Sequence, residues 1–207
     1  KALYNLCLCY FRIHDDFNSK KFFNKLIKID PNNEDLKYAY STYNLGIGEF
    51  DNAWKYFESR LKLKKQYKSF NNNEFIKNKI SSIESIRNND KILILREQGI
   101  GEEILFSSIY NNIISRFDNI FIESDKRLVK LFENSFKKNI FFADGFFSNN
   151  PDKIENFDHV IYAGSFLKLF IKNKKYLRKN SYLKPDNKKF IDFEKKLSNF
   201  DKKLKIG

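Results

Sequence analysis

From Lys91 onward, apolar residues fall into short unbroken runs, and longer stretches between them repeat their apolar positions every three or four residues. "KILIL" (91–95) is continuous in the way expected of a strand buried on both faces. "GEEILFSSIYNNIISRF" follows, with apolar or small residues at Ile104, Leu105, Ser108, Ile109, Ile113 and Phe117, close to helical spacing. "NIFIE" (119–123), "NIFFA" (139–143) and "HVIYA" (159–163) read as three more strands, with "DKRLVKLFENSF" (125–136) as a helix between the first two of them. "NKKFIDFEKKLSNF" (187–200), after Pro185, reads as a last helix. Strands alternating with helices of this length predict a parallel sheet with crossover helices.

The first third follows a different rule. Residues 1–68 repeat with a period of 34: Ser19 is matched by Ala53, Phe23 by Phe57, Ile27 by Leu61, Cys7 by Ser41 and Leu6 by Tyr40, with a weaker match of Tyr10 to Asn44. Small residues recur where two helices would cross closely, and large ones where they would interdigitate. The second copy, "GEFDNAWKYFESRL", carries the clearer signature, and Pro31 closes the first. Period and pattern resemble the tetratricopeptide repeat, although Lys37 and Ser41 stand where its consensus has Trp and Gly. Two such units rarely bury a core alone, so either further units precede them or these dock on the following domain. Residues 69–89, rich in Asn and Ser with scattered apolar pairs, read as a connector, and 90–201 as the α/β region. The layout is α + α/β.

Composition narrows the class. With 42% hydrophobic residues and 23 Phe, the chain can build a core. It has no Met and begins on Lys, and "KKLKIG" (202–207) resembles the opening of a further strand, so it reads as an internal piece of a longer protein. The net charge of +13 raises nucleic acid or an anionic membrane as partners. The lysines, however, are spread evenly among Asn, Ile and Phe, as an AT-rich coding sequence produces. The densest basic run, "KNKKYLRKN" (172–180), lacks an aromatic stacking platform, so the expectation is no nucleic acid. Cys7 and Cys9 have no second pair to form a zinc site. No apolar run is long enough to span a membrane, and the cytoplasm is the default location. The two histidines, His14 and His159, lie too far apart in sequence to suggest a catalytic cluster, and His159 reads as structural.

Candidate chemistry gathers in "LREQGIGEEILF" (95–106), between the first strand and the first helix, where open α/β sheets place their ligands. Gly99 and Gly101 fit the start of a dinucleotide fingerprint, but Ile104 occupies its third glycine. Glu97, Glu102 and Glu103 would face a pyrophosphate with no lysine inside the loop, so a phosphate cradle is not expected. Acids in a first helical turn also offset the helix dipole, by about 0.3–1 kcal/mol each, which accounts for Glu102 and Glu103 without any activity. It leaves Glu97, Gln98 and the two glycines unexplained. Gly164 and Ser165, after the fourth strand, are either acceptor contacts at the same sheet edge or a helix cap.

The repeats ending in "GEFDNAWKYFESRL", followed by "KILILREQGIGEEILFSSIY", resemble bacterial repeat-containing glycosyltransferases of the two-domain GT-B fold, relatives of the O-linked N-acetylglucosamine transferases and, more distantly, of the lipopolysaccharide heptosyltransferases. The match is strong at 46–61 and 91–110 and fades after 165. "EQGIGEE" follows the family pattern E-Q-G-[LI]-G-D-E, with Glu102 in place of the usual Asp. The resemblance implies that the α/β region is the Rossmann-like, acceptor-side N-terminal half of a GT-B enzyme. The full protein would transfer a sugar from a nucleotide sugar to a protein or saccharide hydroxyl. Glu102 would then be the catalytic base, and Glu97, Gln98, Gly99, Gly101, Glu103, Gly164 and Ser165 the surrounding acceptor loop. The nucleotide sugar would bind a second half, beginning at 202–207, with no metal or cofactor in this half, and the repeats would recruit the acceptor or a protein partner. The competing expectation is a non-catalytic interaction scaffold built on the same repeats and a degenerate α/β domain.

Overall fold

Two helix pairs open the chain in the computed structural model, which describes residues 2–63, 82–136, 140–176 and 181–198. Helices α1 (Ala2–Arg12) and α2 (Asp16–Ile29) form the first pair, α3 (Glu34–Ile47) and α4 (Phe50–Phe57) the second, and a 3-10 segment, Glu58–Lys62, prolongs α4. The 34-residue recurrence is present in the backbone itself. His14 (φ 58°) and Gly48 (φ 83°), one period apart, are both left-handed residues ending the first helix of a pair. Each donates its N–H to the carbonyl three residues back, Phe11 and Leu45 respectively. The next N–H reaches five back, Asp15 to Tyr10 at 3.0 Å and Glu49 to Asn44 at 2.8 Å. This pair of hydrogen bonds satisfies carbonyls that a helix end would otherwise leave orphaned.

The paired positions behave alike where helices cross. Phe23 and Phe57, Ser19 and Ala53, and Cys7 and Ser41 are all buried, and Ser41 Oγ donates to the Ala53 carbonyl at 2.9 Å across the α3–α4 crossing. Leu6 departs from the pattern, being 38% exposed where its counterpart Tyr40 is buried, because among the described residues no earlier helix covers that side of α1.

The sheet has strands β1 (Lys91–Leu95), β2 (Asn119–Ser124), β3 (Phe141–Ala143) and β4 (His159–Tyr162), all parallel, in the order β3-β2-β1-β4. Alternation divides it into two apolar faces. Ile92, Ile94, Ile122 and Ile161 point to one, and Leu93, Leu95, Val160 and Tyr162 to the other. The first face lies under α5 (Ile100–Ser107), α6 (Tyr110–Arg116) and α7 (Lys126–Ser135). The second is covered by the short α8 (Phe146–Asn149) and a 3-10 segment, Pro151–Asn156. After β4 come a 3-10 turn (Ala163–Phe166), α9 (Leu167–Phe170) and finally α10 (Asn187–Ser198). The helical spacing of 101–117 suggested one helix; the backbone breaks it at Ser108–Ile109, where Ile109 takes φ −102° and ψ 0°.

The second helix pair shares its core with the sheet. Phe50 and Phe57 pack in one cluster with Ile92, Ile94, Phe106 and Phe166, and Trp54 Nε1 donates to the Ile171 carbonyl at 2.6 Å. The first pair packs against α3 in a separate core around Phe23, Tyr40 and Tyr43. Most of the connector assigned to 69–89, and all of 202–207, lie outside the described residues; from Ser82 the chain is defined, and Ile83 is buried against the sheet core.

Candidate functional site

At the carboxyl end of β1 the chain passes through Arg96, Glu97 and Gln98 before Gly99 caps α5. The left-handed residue of this turn is Gln98 (φ 61°), not a glycine. Gly99 is extended (φ −106°, ψ 179°) and Gly101 lies inside the first turn of α5. Neither glycine is there for its backbone freedom. A methyl group on Gly101 would meet nothing within 4 Å, and one on Gly99 would meet only Glu102 Oε2, at 3.2 Å. The pair leaves bare, exposed backbone at the helix start.

The three glutamates of the loop go to three different environments. Glu97 is 2% exposed and clasped by Arg60, a side chain from the segment after α4 that is wholly buried. Arg60 Nε donates to Glu97 Oε2 at 2.8 Å and Nη2 to Oε1 at 3.0 Å, a bidentate pairing. The same guanidinium donates to Glu58 Oε1 (2.9 Å), Ser165 Oγ (2.9 Å) and the Phe57 carbonyl (3.2 Å), and lies 4.2 Å above the Phe57 ring. Ser165 Oγ donates onward to Glu58 Oε2 at 2.9 Å, and the Gly164 N–H donates to Glu97 Oε1. Glu97, Gly164 and Ser165 thus come together, but around an arginine of the second helix pair.

Glu103, 1% exposed, belongs to a second network. Its Oε1 lies 2.6 Å from Arg96 Nε, and its Oε2 accepts the Asp125 N–H at 2.9 Å. Burial pushes its carboxyl up from the usual range, opposed by that backbone bond and by Arg96. Arg96 also reaches Asp144 at 2.9 Å and Asp125 at 3.7 Å, so one guanidinium gathers acids from α5, the cap of α7 and the end of β3. Arg127 holds Asp125 well below the ordinary carboxylate range through a side-chain hydrogen bond. Beside this cluster Glu123 is buried, with Oε1 accepting the Gly145 N–H at 3.2 Å and Oε2 without a hydrogen-bond partner. Burial raises its carboxyl to about 7.

Glu102 is left over. It is exposed in the first turn of α5, with no hydrogen-bond or ion-pair partner among the described residues. The loop therefore presents one reachable carboxylate beside bare backbone, on a base tied down by two arginine networks, one buried around Arg60 and one partly exposed around Arg96. Among the described residues no three His, Cys, Asp or Glu side chains are placed to hold a metal ion. His159 bonds Asp90 at 2.8 Å at the start of β4, a structural arrangement.

Arg60 and Arg96 carry the site's geometry, and neither was singled out from the sequence. A signal was available: only seven of the 39 basic residues are arginine. Lysine, the commoner cation of the chain, could not supply the planar, bidentate pairing that Arg60 makes with Glu97. Comparisons of the chain with protein-family models, with curated proteins and with solved structures each found no match.

Proposed function

We propose that the chain is the repeat-bearing, acceptor-side half of a GT-B glycosyltransferase, in which tetratricopeptide-like hairpins lead into a Rossmann-like domain. The observation that carries this reading is the sorting of the loop acids: Glu97 and Glu103 are internal, and Glu102 alone is exposed at the carboxyl end of β1. An acceptor hydroxyl loses its proton as it attacks the anomeric carbon of the donor sugar, and a placed carboxylate takes that proton. The C–O bond forms as the bond to the nucleotide diphosphate breaks, and the diphosphate leaves with the electron pair. In this reading the nucleotide sugar sits on a second α/β half, and the hairpins bring the acceptor or a protein partner.

Replacement of Glu102 by Gln in the full-length protein tests it. Sugar transfer should fall by about 10²–10⁴, while folding stability changes by less than about 1 kcal/mol. Unchanged transfer would return Glu102 to its role in offsetting the helix dipole. One observation favours the competing reading, a non-catalytic scaffold: Glu97, Gly164 and Ser165 are consumed in fastening the helix pair to the sheet. A scaffold would show no transfer before or after the substitution.

A further inference from the structure

The second face of the sheet is incompletely covered over β2 and β3. Phe121 and Phe142, on β2 and β3, remain partly exposed there beside a concavity of about 320 Å³. Its walls are a circuit of phenyl rings: Phe121 to Phe142 at 6.1 Å, Phe142 to Phe147 at 5.3 Å, Phe147 to Phe157 at 5.6 Å and Phe157 back to Phe121 at 5.2 Å. Phe146 closes one side, 5.0 Å from Phe142. Two lysines frame the opening. Lys91 Nζ lies 5.4 Å above Phe121 and 5.3 Å above Phe157, and Lys153 Nζ lies 4.6 Å above Phe146. Neither ammonium is paired with a carboxylate among the described residues.

We propose that this concavity docks a protein segment presenting one phenylalanyl or leucyl side chain flanked by carboxylates. Size argues for a single side chain, since pockets for small ligands begin at about 300 Å³ and run to about 1,000 Å³. The lining supplies no acid, histidine or thiol, so it binds rather than reacts. Aromatic and apolar anchors set in such pockets dominate the energy of protein interfaces. The lysines determine the flanks: a segment covering them without acids would desolvate two unpaired charges, whereas carboxylates beside the anchor would pair with both.

The test uses the capped pentapeptide Glu-Asp-Phe-Asp-Glu, followed by the aromatic NMR signals of the chain. Signals of Phe121, Phe142 and Phe146 should shift saturably, and the same peptide with Ala for Phe should leave them unmoved. The double variant Lys91→Glu/Lys153→Glu should weaken the acidic peptide at least about tenfold and bind Lys-Arg-Phe-Arg-Lys instead. That exchange cannot come from misfolding. Equal binding of acidic and basic peptides to the unaltered chain, or no shift at about 5 mM peptide, overturns the proposal. So does concentration-dependent broadening of the same signals without peptide, which would seat a second copy of the chain there.

Discussion

Gly164 and Gly101 show how differently two glycines can be constrained. A methyl group on Gly164 would sit 2.6 Å from Glu97 Oε1, 3.1 Å from Arg60 Nη2 and 3.2 Å from Phe106 Cζ, inside a network with no slack. Gly164→Ala should therefore destabilise the chain by about 1–3 kcal/mol, as overpacking does. Gly101→Ala meets open space in a helical turn and should stabilise by up to about 1 kcal/mol; urea unfolding of the two variants checks both signs. Glu123 gives the third residue-scale expectation. Its folded state keeps a proton up to about 7, against 4.5 for an ordinary glutamate, through burial opposed by the Gly145 N–H and Arg96 and reinforced by Asp144 and Glu103. The stability it contributes is complete below the unfolded value and is lost as pH rises through the folded one. Glu123→Gln should be more stable than the parent at pH 8, by up to about 3 kcal/mol. The advantage should vanish by about pH 4, where both states of the parent are protonated; chemical denaturation across that range measures it.

Elements were legible wherever burial enforced a period. "KILIL" became β1 residue for residue, and His14 and Gly48 repeat one turn geometry at the spacing the side chains announced. The single helix over 101–117 failed because apolar spacing does not register a local break, here at Ser108–Ile109 with Ser107 Oγ turned back to the Ile104 carbonyl at 2.8 Å. The glycine loop was located but its chemistry was mixed. Three glutamates look alike in a string of letters, and only the positions of Arg60, 37 residues from Glu97, and of Asp125, 22 from Glu103, separate the two buried ones from the exposed one. Long-range pairing of that kind leaves no periodic trace. Arg60 is correspondingly the most consequential side chain of its segment. Arg60→Ala removes the buried cation that faces Glu97 and should cost about 3–5 kcal/mol. Arg60→Met combined with Glu97→Leu, which removes the charge as well, should cost less than the single change. Trp54, the only tryptophan, sits at the same joint through its bond to Ile171, so its fluorescence reports directly on the docking.

Taken whole, the molecule packs α4 in one core with the sheet and α1, α2 and α3 in another. Its glycine turn is acidic where nucleotide diphosphates need donors and positive charge. The chain on its own should accordingly show no saturable binding of uridine-, guanosine- or adenosine-diphosphate sugars tighter than about 100 μM, roughly −5.5 kcal/mol. Calorimetric titration decides this, and tighter binding would overturn the proposed division between an acceptor half and a donor half. The guanidinium of Arg60 has a further consequence. It is sealed by the Phe57 ring on one side and gripped by two carboxylates and a hydroxyl, so small displacements break several short bonds at once and gain nothing in return. The segment after α4 is thereby set on the sheet at one bearing, like a tool in a keyed socket.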